Sequence, residues 1–154
     1  MDTTQTCPEC GAAWHDEETC QAHFYQMLFW ETENPDNMAV HHLMVLCYHL
    51  QHPSLYSPEG LSGAIRLLDD FLEQGITPGA ARRNNGAMVN SHTRTWKIKG
   101  TPASHGVYSK PIQWPLTGAD VVAGGVDNYC SSVRTWARSV YEALKASGNF
   151  LPQA

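Results

Sequence analysis

ETCQAHFYQMLFWETENPDNMAVHHLMVLCYHLQHP, residues 18–53, reads as two helices with one break between them. From Glu18 to about Asn34 the apolar residues Ala22, Tyr25, Leu28 and Phe29 recur at helical spacing. Asn34-Pro35-Asp36 interrupts the pattern, because Pro35 has no N–H to donate and restricts the residue before it. From about Asp36 to Gln51 a second face follows, carried by Val40, Leu43, Met44, Cys47 and Leu50, and it ends against His52-Pro53. A break this short predicts an antiparallel helical hairpin.

The rest of the chain continues in the same style. Ser57 is placed to cap a helix with Pro58 at its first position, and Leu61, Ala64, Ile65, Leu68, Phe71 and Leu72 form its inner face up to Gly75. Thr77-Pro78 repeats the start signal for a shorter helix through about Met88. A last helix is expected over about 127–147, with Cys130, Val133, Trp136, Ala137, Val140 and Leu144 inward and Gly148 as its stop. Between them lies a Pro-, Gly- and Ser-rich stretch with little helical period. It leaves room for a short β hairpin from residues 94–99 and 106–113. The expected fold is mainly α: one domain over 1–154, built as a small helical bundle. Its parts are an N-terminal zinc knuckle (1–17), a helical core (18–90), an irregular loop region (91–126) and a C-terminal helix (127–148).

Composition narrows the function classes. A chain of 154 residues that is 42% hydrophobic can bury its own core. No run approaches the roughly 18 to 20 apolar residues of a membrane span, and no basic segment precedes an apolar one at the N-terminus. Five cysteines, an odd number, favour reduced thiols or metal over a disulfide scaffold, so the expected location is cytoplasmic. The net charge of −5 conceals a segregation: residues 1–65 hold no Lys or Arg, and residues 74–119 hold no Asp or Glu. Within the latter, Arg82, Arg83, Arg94, Lys97, Lys99 and Lys110 are interleaved with Trp96 and Tyr108. Such a strip suits an anionic partner, nucleic acid or acidic protein, although the overall negative charge counts against a dedicated nucleic-acid binder.

Cys7-Pro8-Glu9-Cys10-Gly11 has the C-x-x-C-G form of a zinc knuckle, in which two thiolates reach one ion from a tight turn. No βαβ pattern surrounds it, which separates it from thioredoxin-like redox motifs. Tetrahedral Zn²⁺ needs two more ligands, and Cys20 is the nearest. In an antiparallel hairpin broken near residues 34–35, Cys20 in the first turn lies level with His49 to His52. The preferred set is therefore Cys7, Cys10, Cys20 and His52. His49 is held in reserve, as are His23, three residues from Cys20 on its own helix, and His41, which should face about Met27 to Trp30. Cys47 and Cys130 fall on apolar faces and read as core thiols.

CPECG, the helix-entry cysteine of TCQAHF, HHLMVLCYHLQHP and the late RTWARSVYEAL together resemble the bacterial proteins grouped as domain of unknown function 5946. The resemblance runs from Cys7 to about Leu144 and is clearest in the first 53 residues. It implies a small, zinc-binding helical protein and brings no assigned activity. Cys7, Cys10, Cys20, His41 and His52 match the family pattern, whereas His23 and His49 are not part of it. This chain has Leu46 where members often carry Asp, which weakens any carboxylate role on that helix.

Two functions of different class follow. The first is a zinc-stabilised binding or accessory protein that contacts an anionic partner through residues 82–110. Three thiolates and an imidazole fill four positions and leave none for water, which favours a non-enzyme. The alternative is a metal-dependent hydrolase, with His41, His42, His49 and His52 joined by Glu31 or Glu33 across the hairpin. Against it stand the absence of H-E-x-x-H and of G-x-S-x-G, and the lack of a carboxylate in register on the second helix.

Overall fold

The structure, a computed structural model, describes residues 5–15, 17–84 and 99–149. Its helices are α1 (Cys20–Glu33), α2 (His41–Leu50), α3 (Pro58–Leu72), α4 (Pro78–Asn84), α5 (Gly118–Ala123) and α6 (Tyr129–Ala146). Two short strands, β1 (Gln5–Thr6) and β2 (Ala13–Trp14), pair antiparallel ahead of α1. The mainly helical character expected from the sequence holds. No helix among the described residues is long and apolar enough to cross a membrane.

The hairpin starts where its caps place it. Thr19 accepts a hydrogen bond from the Ala22 N–H, which sets Cys20 as the first residue of α1. After α1 the chain does not enter α2 at Asp36. Pro35–Val40 forms a 3₁₀ turn instead, because Asn34 caps Asp36 and the Asn37 amide donates back to the Trp30 carbonyl. The register is then constant. His41 meets Glu31; seven residues on, Tyr48 stacks on Phe24; four further on, His52 reaches the site of Cys20. Matching steps in opposite directions describe an antiparallel pair.

The main core joins α2, α3 and α6 around Met44, Leu50, Leu68, Trp136 and Leu144, each fully buried. On α3, Ser57 accepts from Gly60 N–H, so the Ser-Pro start is realised as read. Gln51 is also fully buried: its side chain donates to the Leu116 carbonyl and accepts from the Trp136 indole. This fixes the end of α2, and with it the backbone that presents His52.

Residues 99–126 are more structured than their composition suggests. Thr117-Gly118-Ala119-Asp120 forms a capping box, with the Asp120 carboxylate accepting from the Thr117 N–H, and α5 follows. A 3₁₀ turn over Val126–Asn128 leads into α6, so the last helix begins two residues later than expected. Among the described residues the short hairpin anticipated in this region is absent: 106–113 forms no strand, and Lys99 makes one isolated bridge to Tyr56. Residues 94–98 lie outside the described residues, as do 85–88 at the expected end of the fourth helix. Gly100 allows the loop to dock: a Cβ there would come within 2.5 Å of the Ser54 and Tyr56 carbonyl oxygens.

Candidate metal centre

The N-terminal strands hold a turn that contains both knuckle cysteines. The Cys7 N–H donates to the Ala12 carbonyl and the Gly11 N–H to that of Cys7, with Gly11 at φ +82°. A side chain at that φ would be strained, so glycine suits the turn. The Cys10 N–H points at the Cys7 sulfur from 3.5 Å, the kind of donor that stabilises a thiolate.

Cys7, Cys10, Cys20 and His52 are all buried, and their four ligand atoms lie within 4.8 Å of one another. Cys10 Sγ and Cys20 Sγ are 3.5 Å apart, and Cys7 Sγ is 3.6 Å from His52 Nε2. Tetrahedral Zn²⁺ with its usual bond lengths spaces its ligand atoms by about 3.5 to 3.8 Å. The donor set and its spacing thus fit a zinc ion. His52 is prepared for the role, since its Nδ1–H donates to the Tyr48 carbonyl at 2.6 Å and leaves the Nε2 lone pair facing the sulfurs.

Electrostatics point the same way. Burial lowers the basicity of His52, but its hydrogen bonds to Cys20 and to the Tyr48 carbonyl, with the charge of the thiols, outweigh it and raise its pKa to about 9. The hydrogen bond with Cys10 pulls the Cys20 thiol down against the cost of burial, with His52 and the Trp14 N–H acting in the same direction. Cys10 moves the opposite way, up, through that same hydrogen bond and burial. Negative charge is therefore favoured on the Cys20 sulfur, beside the His52 imidazole.

Around this centre Ala12 is buried, with Trp14, Tyr48, Trp114 and Ala119 packed against the cluster. Two side chains there carried no sequence signal. Glu9, between the knuckle cysteines, accepts from Ser54 through its backbone N–H (3.0 Å) and its hydroxyl (2.7 Å). Trp14 donates its indole N–H to Cys20 Sγ at 3.1 Å. Both link residues that no periodicity joins. Glu9→Ala is expected to weaken metal retention roughly 10-fold, as loss of an outer contact does; competition with a chromophoric chelator measures it.

Of the reserve ligands, His49 packs edge-on against Tyr56, and burial followed by the charge of His52 lowers its pKa. His23 stays outside the cluster, with its Nδ1 buried and lacking a hydrogen-bond partner among the described residues. His41 donates from Nδ1 to Glu31 at 2.6 Å, and His42 packs on Phe71. The four histidines of the hydrolase reading are thus not gathered: His52 joins the cysteines while the others face Glu31, Phe71 and Tyr56. Cys47 is fully buried in the main core, and Cys130 lies near Asn37. On the basic strip, Arg82 and Arg83 belong to α4; Arg83, Lys99 and Lys110 are exposed. Arg94, Trp96 and Lys97 lie outside the described residues.

The sequence model of DUF5946, a family of unknown function, matches residues 5–145. The chain belongs to that family. In this DUF5946 protein the match spans the knuckle, the hairpin and nearly all of α6, so it includes all four members of the Cys₃His cluster. No curated protein and no solved structure matches the chain.

Proposed function

We propose that this DUF5946 protein is a small zinc-stapled binding or accessory module, with one structural Zn²⁺ held by Cys7, Cys10, Cys20 and His52. One observation carries the reading: four buried donors converge, and among the described residues no carboxylate or further histidine shares the group. Four protein ligands complete a tetrahedral shell, the arrangement of structural sites. The ion would supply cohesion that the chain lacks there. The described residues of 5–19 have one two-residue strand pair and bury Cys7, Cys10 and Ala12 alone. So little apolar surface does not order a segment. His52 and Cys20 anchor the knuckle to the open end of the α1–α2 hairpin, and Glu9 pins it to Ser54. The five free cysteines suit a reducing, cytoplasmic setting.

Chelation tests the staple. One zinc per chain is expected in the purified protein. Its removal should expose residues 5–19 to proteolysis, while the core of α2, α3 and α6 keeps its helical circular dichroism. A metal-free protein with the knuckle already protected would contradict the reading.

The partner, on this reading, is anionic and meets residues 82–110, where the acid-free composition leaves positive charge unopposed along the chain. Binding to single-stranded oligonucleotides or to polyglutamate should weaken steeply with salt and fall when Arg82, Arg83, Lys97 and Lys99 are replaced by Ala. Binding that ignores both salt and these substitutions would remove the strip from the account.

A further inference from the structure

The three sulfurs of the centre are not equivalent. Cys10 Sγ faces Cys20 Sγ at 3.5 Å, whereas Cys7 Sγ faces the His52 imidazole and accepts the Cys10 N–H. Access differs too. A cleft of about 580 Å³ lies between the knuckle and the Ile112–Pro115 segment; Cys7 and Cys10 line it, and Cys20 does not. Cys20 lies outside that lining, at the first position of α1, with the Trp14 indole N–H on its sulfur. Trp14 thereby holds a sulfur ready to attack its neighbour, and that neighbour is the one reached from the cleft.

We propose that Cys10 and Cys20, and not the sequence-adjacent Cys7 and Cys10, form a reversible disulfide in response to peroxide, and that this bond ejects the metal. The proposal rests on the zinc reading, both for the Cys10 thiolate and for the metal that is ejected. Bound zinc would deprotonate Cys10, and its thiolate attacks peroxide entering by the cleft: the O–O bond breaks, Cys10 becomes a sulfenic acid, and hydroxide leaves. The Cys20 thiolate then attacks the Cys10 sulfur; the S–S bond forms, the S–O bond breaks, and a second hydroxide departs. Two thiolates are oxidised by two electrons, one H₂O₂ is reduced, and two protons from solvent convert the hydroxides to water. The sulfurs must approach from 3.5 Å to about 2.05 Å, and the bond removes two of the four ligands. Cys7 and His52 alone do not hold Zn²⁺ against water. The knuckle is then freed from His52 but tethered covalently to the start of α1.

The experiment uses the full chain as purified. Zinc is first counted, then H₂O₂ is added with a chromophoric chelator present. The reaction is quenched with iodoacetamide, and non-reduced peptides are mapped by mass spectrometry. The expected result is one zinc released per disulfide formed, a Cys10–Cys20 cross-link, alkylated Cys7, and reversal by dithiothreitol with added zinc. A dominant Cys7–Cys10 or Cys7–Cys20 bond overturns the assignment. So does zinc that stays bound with three thiols intact, a result that leaves the zinc reading standing. A chain that holds no zinc but still forms the Cys10–Cys20 bond sinks the zinc reading instead. In Trp14→Phe, dimedone-trapped sulfenate at Cys10 should rise several-fold as the second step slows; trapping equal to that of the unaltered chain contradicts the part assigned to Trp14.

Discussion

Replacing Cys20 by serine is expected to cut zinc affinity by on the order of 10²-fold and to release residues 5–19 from the hairpin. Structural zinc sites of four ligands bind with about 10 to 16 kcal/mol, so an even share is roughly 3 kcal/mol for each ligand. A serine hydroxyl does not ionise near neutral pH, so that share is lost rather than transferred. The position matters as much as the ligand. Cys7 and Cys10 share one turn, whereas Cys20 and His52 are the two ligands that connect the turn to α1 and to the end of α2. Losing Cys20 therefore unties the knuckle from α1, and the Trp14 indole loses its sulfur acceptor. Metal content after dialysis against a weak chelator, together with proteolysis between Ala12 and Thr19, reads both effects. Cys47→Ser is the control: its thiol is buried in the main core, so it should lower stability and leave zinc content unchanged.

Glu31→Ala is expected to cost about 3 kcal/mol, as breaking a buried charged network does. For a domain of this size that lowers Tm by roughly 6–12 °C. The Glu31 side chain is 1% exposed and accepts two short hydrogen bonds, one from His41 Nδ1 at 2.6 Å and one from the Tyr129 hydroxyl at 2.5 Å. Alanine leaves a cavity and a buried phenol with no acceptor. Burial, and then Glu31, push the Tyr129 pKa up, so the hydroxyl stays protonated and remains a donor. Tyr129→Phe should cost less, about 2 kcal/mol, because Glu31 keeps His41, which is 39% exposed on its side chain and open to water. Thermal melts of both single variants and the double variant check the ranking. A double variant no less stable than Glu31→Ala alone would show the two groups acting as a unit. Additive losses would contradict a shared network.

The elements that could be read from the sequence were those with local causes. Ser57 caps the helix it precedes, Pro35 ends α1, and the apolar faces of α3 and α6 repeat at helical spacing; the Thr19 cap, which starts α1 at Cys20 and not at Glu18, was not read. The hairpin register followed from the shortness of the break, which placed Cys20 opposite His49 to His52 before the constant steps from Glu31–His41 to Phe24–Tyr48 fixed it at His52. What escaped has a common origin. Glu9 with Ser54, Tyr129 with Glu31 and Gln51 with Leu116 are pairs 45, 98 and 65 residues apart, and nothing in either local segment announces the other. Helix α5 was different: Thr117 and Asp120 form a capping box, but the Pro- and Gly-rich surroundings masked it. The strands at 5–6 and 13–14 are too short to show an alternation and owe their pairing to the knuckle turn between them.

Zinc K-edge X-ray absorption of the purified protein tests the Cys₃His centre most directly. The account predicts one zinc per chain with three sulfurs at about 2.3 Å, one nitrogen at about 2.0 Å and no oxygen. A shell with two sulfurs or fewer, or one that includes a water oxygen, would contradict it.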